Sequence, residues 1–280
     1  MKYKIRRAKR HELDIMIEWA ADEGWNPGLY DAESFHSADP KGYFLGFLDN
    51  EPISSISAVS YGGKFGILGF YIVKPDFRGK GYGVKIWRQA LKYLDGQNIG
   101  LDGVISQQDN YKKSGFKLAY RNIRYEGKSS GISNKDPKIV KIDKIPFDQL
   151  LNYDNHFFPV TRDRFLRKWI RQPESLAIGF MENNKLNGYG MIRKCRTGYK
   201  IGPLFADSQE IAEKIFEELQ SFMDQGTKFF LDVPEINIKA VKLAEKAGMK
   251  AMFETARMYS KFAPELPLNK VFGVTTFELG

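Results

Sequence analysis

Apolar residues recur along the chain with two periods, and the switch from one to the other marks out its elements. Short runs rich in aromatic and β-branched residues, Tyr3–Arg7, Tyr43–Leu48, Ile53–Ser60, Phe65–Val73, Ile99–Val104 and Phe116–Tyr125, read as strands. Asp49-Asn50 and Gly62-Gly63 separate the second, third and fourth of these and signal hairpins, so they form an antiparallel meander. A helical spacing appears at His11–Ala21, where Leu13, Ile17 and Ala20 share a face. It returns from about Gly81 to Leu94, where Val84, Trp87, Leu91 and Leu94 make a stripe. A short helix is predicted at Asn110–Ser114.

The second half gives nearly the same order. A strand at Ile139–Ile142 is followed by helices at Pro146–Tyr153 and Arg162–Arg171, the latter with Thr161 as its expected cap. A meander of Ser175–Met181, Gly188–Arg193 and Tyr199–Leu204 comes next. Asp207-Ser-Gln-Glu210 reads as a capping-box analogue before a helix whose Ile211, Ile215, Leu219 and Phe222 share a face. Strand Phe229–Val233 and helix Asn237–Ala247 complete the repeat. Residues echo as well as elements: Leu101-Asp102 corresponds to Leu231-Asp232, Gly115-Phe116-Lys117 to Gly248-Met249-Lys250, and Arg124 to Arg257. The turn-rich stretch Gly127–Pro137 reads as a linker, which divides the chain into units 1–126 and 138–280 around linker 127–137. Val271–Phe277 looks strand-like and is expected to pack back onto a sheet.

Composition narrows the class. With 280 residues and 42% hydrophobic, each half can bury its own core, and the single cysteine, Cys195, excludes an internal disulfide. His11, His36 and His156 are far apart and show no ligand spacing, so no metal site is expected. No apolar run approaches the ~18 residues of a membrane span, and the expectation is a cytoplasmic protein without a membrane partner. The formal charge is +9, but Lys and Arg are dispersed among Asp and Glu, which argues against nucleic acid and leaves a few cations for an anionic ligand.

One segment carries chemistry. After the strand ending at Val73 the chain turns through Arg78-Gly-Lys-Gly-Tyr-Gly83 into a helix. Such a turn leaves backbone N–H groups unpaired at the positive end of the helix dipole, and its glycines let a phosphate come close. Several charge-assisted bonds of about 1.5–3 kcal/mol each would hold a pyrophosphate. There is no Gly-Lys-Ser/Thr ending, and the preceding strands form an antiparallel meander where a dinucleotide fold would need βαβ units, which argues against the P-loop and dinucleotide folds.

The segment resembles the GNAT superfamily of acyl-CoA N-acyltransferases, whose signature of strand, Arg/Gln-x-x-Gly-x-Gly/Ala and helix is met at Arg78–Gly83. The resemblance implies an α/β fold of α+β type with a mixed sheet, used here as two tandem GNAT folds, and acetyl-CoA or another acyl-CoA as cofactor. It also implies that backbone N–H groups of Arg78, Gly79, Lys80, Gly81, Tyr82, Gly83 and Val84 bind the pyrophosphate. The backbone of Phe70, Tyr71, Ile72 and Val73 would pair with the pantetheine arm. Tyr111-Lys-Lys-Ser-Gly-Phe116 is similar to the family's Tyr-x-x-x-Gly-Phe, in which the Tyr protonates the departing thiolate; a half-buried aromatic is the plain alternative. Where the family often has an Asn seven residues earlier, this chain has Val104, and Asn110 is the candidate substitute.

A base is required because an alkyl amine, pKa about 10.4, is protonated at neutral pH. Asp22, Glu23 and Asp102 are the candidates, with a structural role open for Asp102. In the family the loop after the first helix covers the acceptor, so Trp25 and Asn26 could form a substrate wall or simply pack. The second half has Gly202-Pro-Leu-Phe-Ala-Asp207 where the first has its glycine turn, and Ala244 at the Tyr111 position. It resembles a degenerate copy that shapes the acceptor site or the domain interface. The expected activity is direct transfer of an acetyl or other acyl group to a primary amine of a small molecule or peptide. A non-catalytic acyl-CoA sensor or scaffold is the alternative; the acceptor and the oligomeric state are not readable.

Overall fold

The computed structural model of the protein describes residues 2–133 and 135–280, so Met1 and the linker residue Asn134 lie outside the described residues. In the first half the order is β1 (Tyr3–Arg7), α1 (Leu13–Asp22), α2 (Asp31–Ala38), β2 (Tyr43–Leu48), β3 (Glu51–Tyr61), β4 (Phe65–Val73), α3 (Tyr82–Tyr93), β5 (Asn98–Val104), α4 (Gln108–Lys113) and β6 (Lys117–Lys128). The second half repeats it as β7 (Ile139–Lys141), α5 (Phe147–Asp154), α6 (Asp163–Trp169), β8 (Ser175–Glu182), β9 (Lys185–Lys194), β10 (Tyr199–Ala206), α7 (Gln209–Gln220), β11 (Lys228–Pro234), α8 (Ile238–Lys246) and β12 (Lys250–Tyr259). A short β13 (Val271–Gly273) lies in the tail.

All of these strands join one mixed sheet in the order β1-β2-β3-β4-β5-β12-β6-β11-β10-β9-β8-β7, with β13 on β10. The meanders β2–β4 and β8–β10 are antiparallel, the first as its turns predict, whereas β4 pairs β5, and β10 pairs β11, in parallel. The centre of the sheet is interlocked. Strand β12 lies between β5 and β6, and β6 lies between β12 and β11, so each half lends its last strand to the other. The segment 127–137 begins inside β6 and then packs on the second half, where Ser129 Oγ donates to the Gln220 carbonyl at 2.9 Å.

The core follows this exchange. Ile86, Trp87 and Ala90 of α3, with Leu94 at its C-terminal end, bury against Ile56, Leu68 and Leu101, giving the glycine-turn helix a fixed seat on the first half of the sheet. The largest cluster instead mixes the halves: Phe35 and Phe70 pack with Phe165, Trp169, Phe277 and Leu279, and Phe35 stacks on Trp169 at 6.1 Å. Three local expectations change. Helix α6 is led by Arg162, not Thr161, and has no side-chain cap. Ser208 rather than Asp207 caps α7, accepting from the Ile211 N–H. Only Val271–Gly273 of the tail is strand; residues 274–280 run on, almost wholly buried, between the halves.

Candidate active site

Strands β4 and β5 pair only from Phe65 to Leu68 against Asn98 to Leu101, and then diverge. The divergence begins where β4 bulges: Ser55 is opposite Ile72 and Ser57 opposite Gly69, which leaves Phe70 and Tyr71 between them. Phe70 takes φ of 46°, an uncommon conformation for an aromatic residue. Its buried ring, set against Phe35 at 5.7 Å, and its carbonyl, bonded by Ser55 Oγ at 2.7 Å, hold it there. Beyond Leu68 the β5-facing edge of β4 has no strand partner.

The gap opens into a cleft of about 770 Å³ that includes Phe70–Val73, Arg78, Gly79, Gly81, Gly83 and Val84 on one side and Leu101–Val104 and Tyr111 on the other. At its mouth the turn before α3 places Gly79 and Gly81 at φ of 73° and 80°. The N–H groups of Gly79, Lys80 and Gly81 donate to no acceptor among the described residues. Tyr111 lies at the inner wall, its ring so close to β5 that a Cβ on Gly103 would sit 2.2 Å from it, and it packs on Trp87 at 5.5 Å. Burial first, and the neighbouring Tyr71 second, push its phenol above the usual range, so it is protonated at neutral pH.

Comparison with known proteins agrees with this geometry. Residues 10–116 match the acetyltransferase (GNAT) family and residues 150–273 match an acetyltransferase (GNAT) domain. A holothin acyltransferase of Pseudoalteromonas sp. (strain SANK 73390) is 31% identical over 98% of this chain and 93% of its own length. The chain belongs to the GNAT acetyltransferase family. Among solved structures, a candidate acetyltransferase of Pyrococcus horikoshii superposes with a TM-score of 0.84 at 26% identity, covering 99% of this chain and 96% of that one. A tandem GNAT protein from the clavulanic acid biosynthesis pathway shares the fold, with a TM-score of 0.64 at 9% identity over 94% of this chain and all of its own.

Within the GNAT cleft some expected residues converge and others do not. The β4 backbone, the glycine turn, Tyr111, Glu23, Trp25 and Asp102 all line it. Arg78, half exposed, donates from Nε to the Val73 carbonyl at 2.8 Å and from its terminal nitrogen to Glu23, which leaves the turn's backbone as the main anion donor. Lys80 is exposed over the Phe77 ring at 5.7 Å, and Tyr82 packs against Tyr3 at 4.8 Å, so their side chains stand outside the cleft. Asp22 is exposed at the end of α1. Asn26 is spent on a structural link: its side chain accepts from Thr197 N–H at 2.9 Å and donates to the Thr197 carbonyl at 3.0 Å. Asn110 is exposed and bonds Gln107 at 2.8 Å; Ser106 and Gln107 line the cleft in its place. Asp102 is committed to Arg257, which donates from Nε at 3.0 Å, and to Asn122 at 2.7 Å.

Four lining residues come from the second half: Phe253 and Thr255 on β12, and Phe277 and Glu278 in the tail. Strand exchange brings in the first two, and nothing in hydrophobic period announces it. The buried tail was signalled only by its apolar character. The equivalent gap of the second half is closed. Strands β10 and β11 diverge after Ile201 and Leu231 just as β4 and β5 do, but β13 fills that gap, pairing Leu204 and Phe205. Cys195, the lone thiol, is buried and raised in pKa by burial. Among the described residues there is no metal-ligand cluster and no helix long and apolar enough to cross a membrane.

Proposed function

We propose that the protein transfers an acyl group, acetyl first among the candidates, from acyl-CoA to a primary amine by direct attack in a ternary complex. The observation that carries this reading is the unpaired edge of β4 opening between a turn of free N–H donors and a buried phenol. The donor set fits acyl-CoA: the turn at Gly79–Gly81 suits a pyrophosphate, and the free strand edge at Phe70–Val73 suits an extended amide-bearing arm. Bound there, acyl-CoA supplies an activated thioester.

The chain's own groups do the rest. Backbone N–H groups at the bulge polarise the acyl carbonyl, a role for which one preorganised donor contributes about 10²–10³ in rate. Tyr111 donates its proton to the departing sulfur. Its raised pKa widens the uphill gap to a thiol near 8.5, but the same dry wall disfavours a thiolate beside it, so both partners shift in one direction. Trp25, Phe253 and Phe277 wall the acceptor end and limit water. The relative's acceptor, holothin, makes small-molecule amines the class to test first. A second acyl-CoA site is not proposed, because β13 occupies the equivalent gap and Pro203 and Ala244 stand where an N–H donor and a phenol would be needed. The test is a CoA-release assay over a panel of amines and peptides. Turnover that drops at least about a hundredfold in Tyr111→Phe supports the reading; acetyl-CoA binding with no turnover on any amine makes the protein a sensor.

A further inference from the structure

We propose that Glu278, carried by the C-terminal tail of the second half into the cleft of the first, is the general base that deprotonates the acceptor amine. The inference rests on the transferase reading above and adds to it the residue that sequence did not supply.

Three carboxylates line the cleft: Glu23, Asp102 and Glu278. The first is bound to Arg78 and the second to Arg257. A carboxylate held by a guanidinium has its lone pairs engaged, and protonating it would strand a cation. Glu278 is different. It is 5% exposed, and no cation pairs with it among the described residues. Its side-chain partner is the Thr276 hydroxyl, which donates to Oε2. Oε1 has no protein partner among the described residues and is not one of the fully enclosed polar atoms, and Glu278 lines the cleft.

The groups that face Glu278 electrostatically are Arg124, Arg193 and Lys200. Arg124 is paired with Asp232 at 2.7 Å and Arg193 with Asp31 at 2.9 Å, whereas Lys200 donates only to backbone carbonyls, 2.9 Å to Asn26. None of the three donates to Glu278, and burial lowers the pKa of Lys200, with the buried Cys195 thiol alongside. The tail is fixed at both ends of this residue. Val274 N–H donates to the Asp232 carbonyl at 2.9 Å, Tyr61 donates to the Leu279 carbonyl at 3.2 Å, and Arg162 to that of Gly280 at 2.9 Å. The Glu278 carbonyl lies so near β4 that a Cβ on Gly69 would be 2.5 Å from it.

In the reaction Glu278 takes one proton from the ammonium. The freed nitrogen pair forms the N–C bond, the C–S bond breaks with its electrons on sulfur, and Tyr111 gives sulfur a proton. The second proton leaving nitrogen restores Tyr111 by way of solvent, and Glu278 passes its own to water, so one proton is released per amide.

The experiment compares full-length wild type, Glu278→Gln and Glu278→Asp with acetyl-CoA and an amine from the panel, between pH 6 and 10. For Glu278→Gln the amine kcat/KM is expected to fall about 10²–10⁴-fold at neutral pH, with the deficit shrinking about tenfold per pH unit toward the amine pKa of about 10.4. Glu278→Asp should be intermediate. Acetyl-CoA affinity, read by quenching of tryptophan fluorescence, should stay within about twofold, because the nucleotide end of the cleft is untouched. A rate within threefold of wild type, a deficit independent of pH, or loss of acetyl-CoA binding together with rate would overturn the assignment. Wild type that binds acetyl-CoA but acetylates no amine would instead sink the transferase reading, and the base with it.

Discussion

Removing the carboxylate of Asp102 tests whether that residue is a base or a structural tie. It stands on β5, while the groups around it stand on strands from both halves: Arg257 and Thr255 on β12, and Asn122 on β6. The Asp102 and Arg257 side chains are 1% and 7% exposed, so Asp102→Ala leaves a guanidinium buried without its counter-ion and frees the Asn122 amide. Breaking such a pair by losing one partner costs about 3–5 kcal/mol. For a chain this long, with roughly 2 °C in Tm per kcal/mol, the expected loss is about 6–10 °C. Arg257→Met should cost a similar amount. The double variant Asp102→Leu/Arg257→Met should be more stable than either single one, since no uncompensated charge remains. Thermal denaturation followed by circular dichroism measures all three, and the shared sheet predicts a single transition. An Asp102→Ala variant within 2 °C of wild type, or a double variant whose losses simply add, would refute this reasoning.

Further outcomes follow from the same structure. Isothermal titration should give one acetyl-CoA per chain, and a stoichiometry of two would show that β13 does not close the second gap. Cys195 should resist a thiol reagent in the native protein and titrate as one thiol in guanidinium chloride, because burial both hides it and raises its pKa. Fast labelling of the native thiol would contradict that burial. Arg6 holds the Glu12 carboxyl down to about 2 from an ordinary 4.5. The folded value is the lower one, so the stability it contributes is present above about pH 4.5 and lost as pH falls toward 2. The Arg6 side chain is 46% exposed, so Glu12→Gln should cost only about 0.5–1 kcal/mol at pH 7 and nothing measurable at pH 2. A Glu12→Gln deficit that persists unchanged at pH 2 would place the effect elsewhere.

Period and turn chemistry determined a great deal by themselves. The strands Tyr3–Arg7, Tyr43–Leu48 and Phe65–Val73 have the ends their hydrophobic patterns give, and the duplication of the whole order was visible in matched residues such as Leu101-Asp102 and Leu231-Asp232. The glycine turn was legible because a phosphate-sized approach to backbone requires glycine locally, whatever the rest of the fold does. What the chain order could not decide was which half each last strand would join, because β6 and β12 carry similar patterns and either could complete either half. That choice, made by long-range pairing and by the Asp102–Arg257 and Arg124–Asp232 pairs across it, puts Phe253 and Thr255 in a cleft more than 140 residues away from Tyr111 in sequence. The same holds for acid–base roles. Asp22, Glu23, Asp102 and Glu278 are alike in sequence, and only their neighbours in space separate an exposed carboxylate from two bound to arginine and one that a threonine hydroxyl holds at the cleft.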